Sequence, residues 1–184
     1  MCLNFPGGYP YQSIMDQKRH MLRHFLAALA YRTQKALRDA PEGFADFHVK
    51  EFVRTPHEIV LHMTGVILYA SSLYKKVETW PRKCATFKDE IARFHEALEG
   101  LGRHFDAGTE IETSPERLLQ GPLADAMTHV GQLAMLRRLY GSPVPGEGFM
   151  LADIRGENLS SDQPPPVRPD KSPVKPGQEG EIND

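Results

Sequence analysis

The sequence predicts an all-α protein, a four-helix bundle followed by a proline-rich extension. Four segments carry apolar residues at three- and four-residue steps, each behind a helix start signal. No segment alternates apolar and polar residues between hairpin turns, so strands are not expected. Eight of the fifteen prolines lie between Pro143 and Pro176, which excludes a long helix there. We therefore expect a bundle over residues 1–150 and a partly docked or mobile tail over residues 151–184.

The first two predicted helices begin at capping boxes, whose side chains bond the free amides of the first turn. Ser13 and Asp16 open the first helix, which ends near residue 40. Thr55 and Glu58 open the second, with Pro56 at its first position. The residues expected to face the core are Met15, Leu22, Phe25, Leu26, Leu29 and Leu37 in the first helix and Ile59, Met63, Val66, Ile67, Ala70 and Leu73 in the second.

The third predicted helix has the most regular apolar seam, and the fourth helical region contains a break. Thr86 caps the third helix, and Ser114 starts the fourth region. Gly121 and Pro122 then predict a break before the segment 123–140. The seam of the third helix alternates four- and three-residue steps, as bundle packing requires, through Phe87, Ile91, Phe94, Leu98, Leu101 and Phe105.

Two polar residues in the last helical segment share its apolar face. Steps of three and four from His129 reach Asp125 as well as Ala126, Leu133 and Leu136, so we expect the two polar groups to be buried. A carboxylate and an imidazole buried without partners cost several kcal/mol. A metal ion would satisfy both groups.

His62 is the third candidate ligand, because it shares its side of the second helix with Val66, Tyr69 and Leu73. Two imidazoles and one carboxylate from facing helices make a three-ligand set with open positions, as in catalytic zinc and non-haem iron sites. The competing interpretation is a buried hydrogen-bond network without a metal. Glu58, one turn before His62, is either a further ligand or only the capping residue, and we favour the cap.

The other histidines are interpreted as structural or surface residues. His20 and His24 have a chelating spacing but lie opposite the apolar stripe of the first helix. His57 is placed on the polar side of the second helix. The remaining three, for which no partner is evident, are His48, His95 and His104.

Composition excludes several classes of function. A net charge of −2 provides no basic surface for nucleic acid or for an acidic membrane, and no apolar run approaches the roughly 20 residues of a membrane span. The N-terminus lacks the layout of a signal peptide. Cys2 and Cys84 form no disulfide framework, and a lone Cys84 before a helix is weak evidence for a reactive thiol. We expect a cytoplasmic protein.

Two motifs carry a resemblance to a known family. The segment Thr55-Pro-His-Glu-Ile-Val-Leu-His62-Met resembles the second-helix motif of the DinB/YfiT-like superfamily, and His129-Val-Gly-Gln132-Leu is similar to the His-Arg-Gly-Gln signature of its last helix. The resemblance covers most of residues 12 to 141. It implies an up-down-down-up four-helix bundle that binds a divalent metal through one histidine on helix 2 and two on helix 4.

The resemblance carries His62 and His129 over as metal ligands, with two departures. Asp125 stands where the family often has a histidine, and Val130 replaces the usual arginine. A carboxylate in place of an imidazole keeps a ligand but makes the site harder and more anionic. The ion expected is zinc or nickel, with iron or manganese as further candidates.

Two functional hypotheses follow. In the first, the metal activates a water or a low-molecular-weight thiol toward a small-molecule substrate, since characterised relatives include thiol-dependent S-transferases and a mycothiol-dependent maleylpyruvate isomerase. In the second, the protein is a non-catalytic bundle that has a structural metal or polar network and acts by dimerising or by binding a small apolar ligand. A homodimer is expected. No phosphate loop or nucleotide fingerprint identifies a substrate.

Overall fold

A computed structural model describes residues 13–75, 80–110 and 113–169, and in these ranges the chain is helical and without a β-sheet. The all-α bundle prediction is confirmed. No helix of the described ranges is long and apolar enough to cross a membrane. The α-helices are α1 (Ile14–Leu37), α2 (Pro56–Lys75), α3 (Phe87–Asp106), α4 (Pro115–Leu118) and α5 (Ala124–Leu139).

The predicted caps form the helix starts. The Ser13 hydroxyl accepts from the Asp16 amide at 3.1 Å. The Thr55 amide donates to Glu58 Oε2 at 2.8 Å, and the Glu58 amide donates back to the Thr55 hydroxyl at 3.3 Å. Thr86 caps α3 in the same way. Each bond satisfies an amide that the first turn leaves without a helical partner.

The predicted break separates α4 from α5. Ser114 caps α4, and a π-helical stretch, Leu119–Leu123, follows it. Gly121 has φ −92° and ψ −106°, outside the helical region, and Pro122 has no amide to donate. The last bundle position is therefore filled by two helical pieces, and the break lies directly before the turn that carries Asp125.

The core lies between α1, α2, α3 and α5 and contains most of the predicted stripe residues. Those predicted and buried are Leu22, Leu26, Leu29, Leu37, Ile59, Met63, Val66, Ile67, Ala70, Phe94, Leu98, Leu101, Phe105, Ala126, Leu133 and Leu136. The prediction for Met15 is wrong, because this residue at the start of α1 is 44% exposed. It lies in the first turn of α1 and lines an open pocket with Phe105 and Leu118 rather than packing in the core.

Side-chain contacts give the helix directions. Near the start of α2, His57 lies 5.5 Å from the Phe87 ring at the start of α3, and near its end Tyr74 stacks on His104 near the end of α3. The two helices therefore run parallel. Arg23 in the first half of α1 meets Asp106 at the end of α3, so α1 runs against α3.

The connection between α2 and α3 makes this parallel arrangement possible. From residue 80 the chain lies back along α2, with Trp80 over Gly65. The Cys84 amide, close to the start of α3, donates to Glu90 Oε2 at 3.0 Å. The chain thus lies near the start of α2 before α3 begins.

The segment after α5 contacts the bundle as far as residue 164, whose carbonyl oxygen accepts from Arg38 of the α1 C-terminus. Arg32 of α1 lies 3.8 Å from the Phe149 ring centre, and Ile154 packs against the core. The neighbouring Met150 and Leu151 do not dock, since they are 94% and 58% exposed. Both lie in a single turn of 3-10 helix, Phe149–Leu151, which directs only Phe149 toward α1. The polar residues 173–184, predicted to be a mobile tail, lie outside the described ranges.

His95 holds part of this segment, contrary to the expectation that it has no partner. Its Nδ1 lies 2.8 Å from the carbonyl oxygen of Leu159, and its Nε2 lies 2.9 Å from the Gln34 side-chain amide. Leu159 itself is buried. Both partners come from distant parts of the chain, so the periodicity of α3 gave no sign of them.

Candidate metal centre

The three predicted ligands meet between α2 and α5. His62, Asp125 and His129 each offer a ligand atom, and these atoms lie within 4.8 Å of one another. The His62 Nε2 is 3.1 Å from Asp125 Oδ2, and the two imidazole ring centres are 4.5 Å apart. The group forms because His62 is on the edge of α2 that faces the first two turns of α5.

A hydrogen bond within α5 sets the orientation of the His129 ring. Its Nδ1 donates to the carbonyl oxygen of Asp125, one turn earlier, at 2.8 Å. Nε2 is then the nitrogen with the lone pair, which accepts a hydrogen bond of 3.4 Å from Arg54 Nη1. A backbone carbonyl on the other nitrogen is the usual support of a metal-binding histidine. The ring is fixed in a tautomer and direction that suit ligation.

The three side chains are not equally buried. Side-chain exposure is 8% for His129, 19% for His62 and 42% for Asp125. The expectation that Asp125 is buried is therefore wrong. It lies in the first turn of α5, directly after the break at Gly121, where the bundle leaves that edge open. The cluster consequently has a closed side and a side that reaches solvent.

The environment keeps His62 neutral near pH 7. Burial lowers the pKa of His62, and the neighbouring Arg54 and His129 lower it further, against the opposing effect of the hydrogen bond to Asp125. Only a neutral imidazole has a lone pair to give to an ion, so a lowered pKa leaves His62 ready for ligation at neutral pH.

The donor set fits a divalent ion. Two ligands of a tetrahedral ion with bonds of about 2.1 Å are roughly 3.4 Å apart, and the His62 and Asp125 atoms are separated by 3.1 Å. Imidazole nitrogens with one carboxylate oxygen are ligands of zinc and of other first-row transition ions. Three protein ligands leave at least one position for water or substrate.

A cavity of about 470 Å³ adjoins His62 on the solvent side. Trp80 forms one wall, with its ring centre 5.9 Å from that of His62. The indole lies so close to Gly65 that a Cβ there would be 2.5 Å from it, so only glycine allows this placement. Phe52, which is 97% exposed and has a left-handed backbone at φ 67°, lies on the rim. The remaining lining residues are His48, Val53, Arg54, Glu58 and Leu61.

A second polar cluster on α2 lies one and a half turns earlier and is closed. His57, predicted on a polar surface, is only 4% exposed, and its Nε2 lies 3.7 Å from the fully buried Glu90. The prediction failed because the parallel α3 covers the first turn of α2. Glu90 accepts three hydrogen bonds from the Arg93 guanidinium, at 2.6, 2.7 and 3.2 Å. It accepts one more from the Cys84 amide and one from the Thr64 hydroxyl.

The remaining candidates have no part in the metal cluster. His20 and His24 are exposed, as predicted. Glu58 is the capping residue, with its carboxylate on the Thr55 amide. Partial burial and the nearby Glu90 raise the pKa of the Cys84 thiol, so this cysteine is not activated. Cys2 lies outside the described residues.

Sequence reasoning missed Arg54 and Trp80. The Arg54 Nη1 lies 3.4 Å from His129 Nε2, on the open side of the cluster. Both residues are in connections, where helical periodicity gives no indication of direction. The one available signal was that Trp80 is the single tryptophan of the sequence and follows α2 closely.

Comparison with known proteins adds no relative. The chain matches no protein-family model, no curated protein and no solved structure.

Proposed function

We propose that this protein is a divalent-metal-dependent enzyme of the DinB/YfiT-like superfamily, with His62, Asp125 and His129 as the metal ligands. The observation that carries the proposal is the meeting of these three side chains, from two helices, within 4.8 Å and beside a cavity. The metal motifs of the resemblance provide the same ligands at His62 and His129. Zinc or nickel suits the donor set best, and iron or manganese is the alternative.

A bound divalent ion would lower the pKa of a coordinated water or thiol and so supply a nucleophile near neutral pH. The chain's own residues prepare this chemistry. Asp125 places one negative charge against the ion, and its carbonyl oxygen fixes the His129 ring. Trp80 forms one wall of the open cavity beside His62. We propose thiol S-transfer as the reaction, because the resemblance includes thiol-dependent transferases.

A conjugation assay tests the proposal. Zinc-loaded or nickel-loaded protein is incubated with monochlorobimane and a panel of low-molecular-weight thiols, and fluorescence is followed against pH. The thiol sulfur forms a bond to the carbon that loses chloride, and the thiol proton is released to solvent. We expect at least one thiol to react faster than with the His129→Ala protein. Equal rates with every thiol would exclude S-transfer.

The Asp125→His variant sharpens the assay. It restores the usual ligand set of the resembled family and raises the charge of the site by one. A more positive site depresses the pKa of a coordinated water or thiol. The activity profile should therefore move to lower pH. An unchanged profile would indicate that no group coordinated at this site controls the rate.

One observation favours the non-catalytic alternative. His62 and His129 both bond to Asp125, at 3.1 and 2.8 Å, so the cluster forms a polar network without an ion. In that case the bundle would act by dimerising or by binding a small apolar ligand. Absence of metal from the wild-type protein, together with a lower melting temperature of Asp125→Ala, would support this alternative.

A further inference from the structure

Arg54 is the feature of the site that metal ligation alone does not explain. Its Nη1 donates a hydrogen bond of 3.4 Å to Nε2 of His129, and an ion on that nitrogen would replace this hydrogen bond and leave the guanidinium as its neighbour. None of the ion pairs between described residues includes Arg54. A cation held beside a cation site, without a carboxylate of the described chain against it, leaves excess positive charge.

The net charge around Arg54 indicates the charge of the ligand that would bind there. A divalent ion, Asp125 and Arg54 together carry a net charge of +2, and the neighbouring Glu58, engaged by the Thr55 amide, reduces it to +1. An anionic group between the ion and the guanidinium would stabilise both. The planar, forked donors of arginine match a carboxylate, which accepts two parallel hydrogen bonds.

The cavity next to Arg54 has an apolar wall and rim. Trp80, 59% exposed, lies flat on Gly65, and Phe52 is 97% exposed at the opening. Val53 and Leu61 add further apolar surface. A volume of about 470 Å³ suits a small molecule with one ring. Large aromatic side chains left this exposed beside a polar cluster indicate a binding surface.

We propose that the substrate of this site is a small carboxylate with an aromatic or apolar body. Its carboxylate lies between Arg54 and the open side of the metal cluster, and its ring lies against Trp80 and Phe52. This inference rests on the proposed metal site, because Arg54 alone does not explain why the anion binds at His129. It assigns Arg54 as a substrate-binding residue and Trp80 as the aromatic wall.

Tryptophan fluorescence tests the proposal, since Trp80 is the only tryptophan of the chain. Zinc-loaded protein is titrated with phenylacetate, with the neutral isostere phenylacetamide and with acetate. We expect a saturable change with phenylacetate and binding weaker by about tenfold or more for each of the other two, as expected for a lost charged hydrogen bond or a lost apolar contact. Zinc affinity is measured separately by calorimetry.

Variants test the binding of the carboxylate by Arg54 separately from the binding of zinc. Arg54→Gln should weaken phenylacetate binding by about tenfold or more while zinc affinity stays within about threefold, and Arg54→Lys should restore part of the loss. Arg138→Gln, at an exposed position near the end of α5, is the matched control and should change neither. Equal binding of phenylacetate and phenylacetamide by protein that holds zinc would overturn the carboxylate inference alone. Absence of zinc binding, or its persistence in His129→Ala, would overturn the metal site and this inference with it.

Discussion

Two polar clusters on α2 each combine histidine with a carboxylate, but only one of them is shielded from solvent. His57 and Glu90 are sealed between α2 and α3, and Arg93 and the Cys84 amide bond the carboxylate. His62, on the same helix, meets Asp125 and His129 at an edge that reaches solvent. The first cluster pairs the Glu90 charge within the chain, although the buried Nε2 of His57 has no hydrogen-bond partner among the described residues. The second adjoins a cavity and has a guanidinium without a carboxylate of the described chain against it, which are the features that support our proposal of a ligand site there.

The largest effect on stability is expected for a substitution in the closed cluster of His57 and Glu90. Burial raises the pKa of Glu90, but bonds from Arg93 and the Cys84 amide outweigh burial, and the net pKa is lowered. The side chain is therefore ionised and paired. Glu90→Ala removes one partner of a buried ion pair and should lower the free energy of unfolding by roughly 3 kcal/mol, measured by urea denaturation.

Glu96→Ala is the matched control for Glu90→Ala, because Glu96 is exposed on the same helix. It should change the unfolding free energy by less than about 0.5 kcal/mol. The connection that Glu90 holds also carries Trp80, so the Glu90 variant should move Trp80 fluorescence to longer wavelength. If both variants cost the same, Glu90 is not the structural hub that its contacts indicate.

In the open cluster of His62, Asp125 and His129, a substitution should affect zinc binding strongly and stability only slightly. Asp125→Ala should weaken zinc binding by at least about a hundredfold, since loss of a mere supporting group already costs 10- to 100-fold. Its effect on unfolding of the metal-free protein should be below about 1 kcal/mol, because the carboxylate is 42% exposed. Calorimetric zinc titration and urea denaturation measure the two quantities. A large stability loss with unchanged zinc affinity would reverse the roles of the two clusters.

The pH dependence of stability tests whether His57 and His95 are buried as neutral rings. Burial is the main cause that lowers the pKa of His57 and of His95 from 6.5. The unfolded chain therefore takes up protons first as pH falls, and the free energy of unfolding should decrease below about pH 6.5. Urea denaturation between pH 7.5 and 5.5 measures this change above the carboxylate range.

The His95→Gln variant identifies one source of that slope. It should be less stable at pH 7.5 but lose less of its stability between pH 7.5 and 5.5 than the wild type. A wild-type stability that rises as pH falls through this window would contradict the burial of these neutral rings.

The smallest effect is expected at the exposed histidine pair. Replacing His20 and His24 together with Gln should leave zinc stoichiometry and melting temperature nearly unchanged, because both side chains are exposed on α1. Their spacing alone would allow chelation, so the variant separates spacing from position. Loss of the zinc ion from this protein would place the metal site on α1 instead.

The sequence predicted the helices well because their signals are local. The capping boxes at Ser13, Thr55 and Thr86 and the break at Gly121 depend on residues within one turn. The three candidate ligands were found for the same reason, since each lies on or beside an apolar stripe. Periodicity assigns each residue to a face of its helix. It does not predict how much of a helix edge is buried by neighbouring segments.

The errors arise from contacts between distant parts of the chain. His57 is buried because α3 runs parallel to α2 and covers its first turn. Asp125 is partly exposed because the break before α5 leaves its first turn open. His95 has a partner in Leu159, 64 residues later. Arg54 and Trp80 reach the site from connections, whose paths depend on the packed helices.

Zinc stoichiometry in the wild-type and His129→Ala proteins tests the central claim most directly. Both are purified without chelator or nickel resin, equilibrated with zinc, freed of weakly held ions by dialysis and analysed for metal content. The site of His62, Asp125 and His129 predicts about one ion per wild-type chain and none in His129→Ala, with circular dichroism showing equal helix content. Equal zinc content in the two proteins, or none in either, would contradict a metal centre at these three residues.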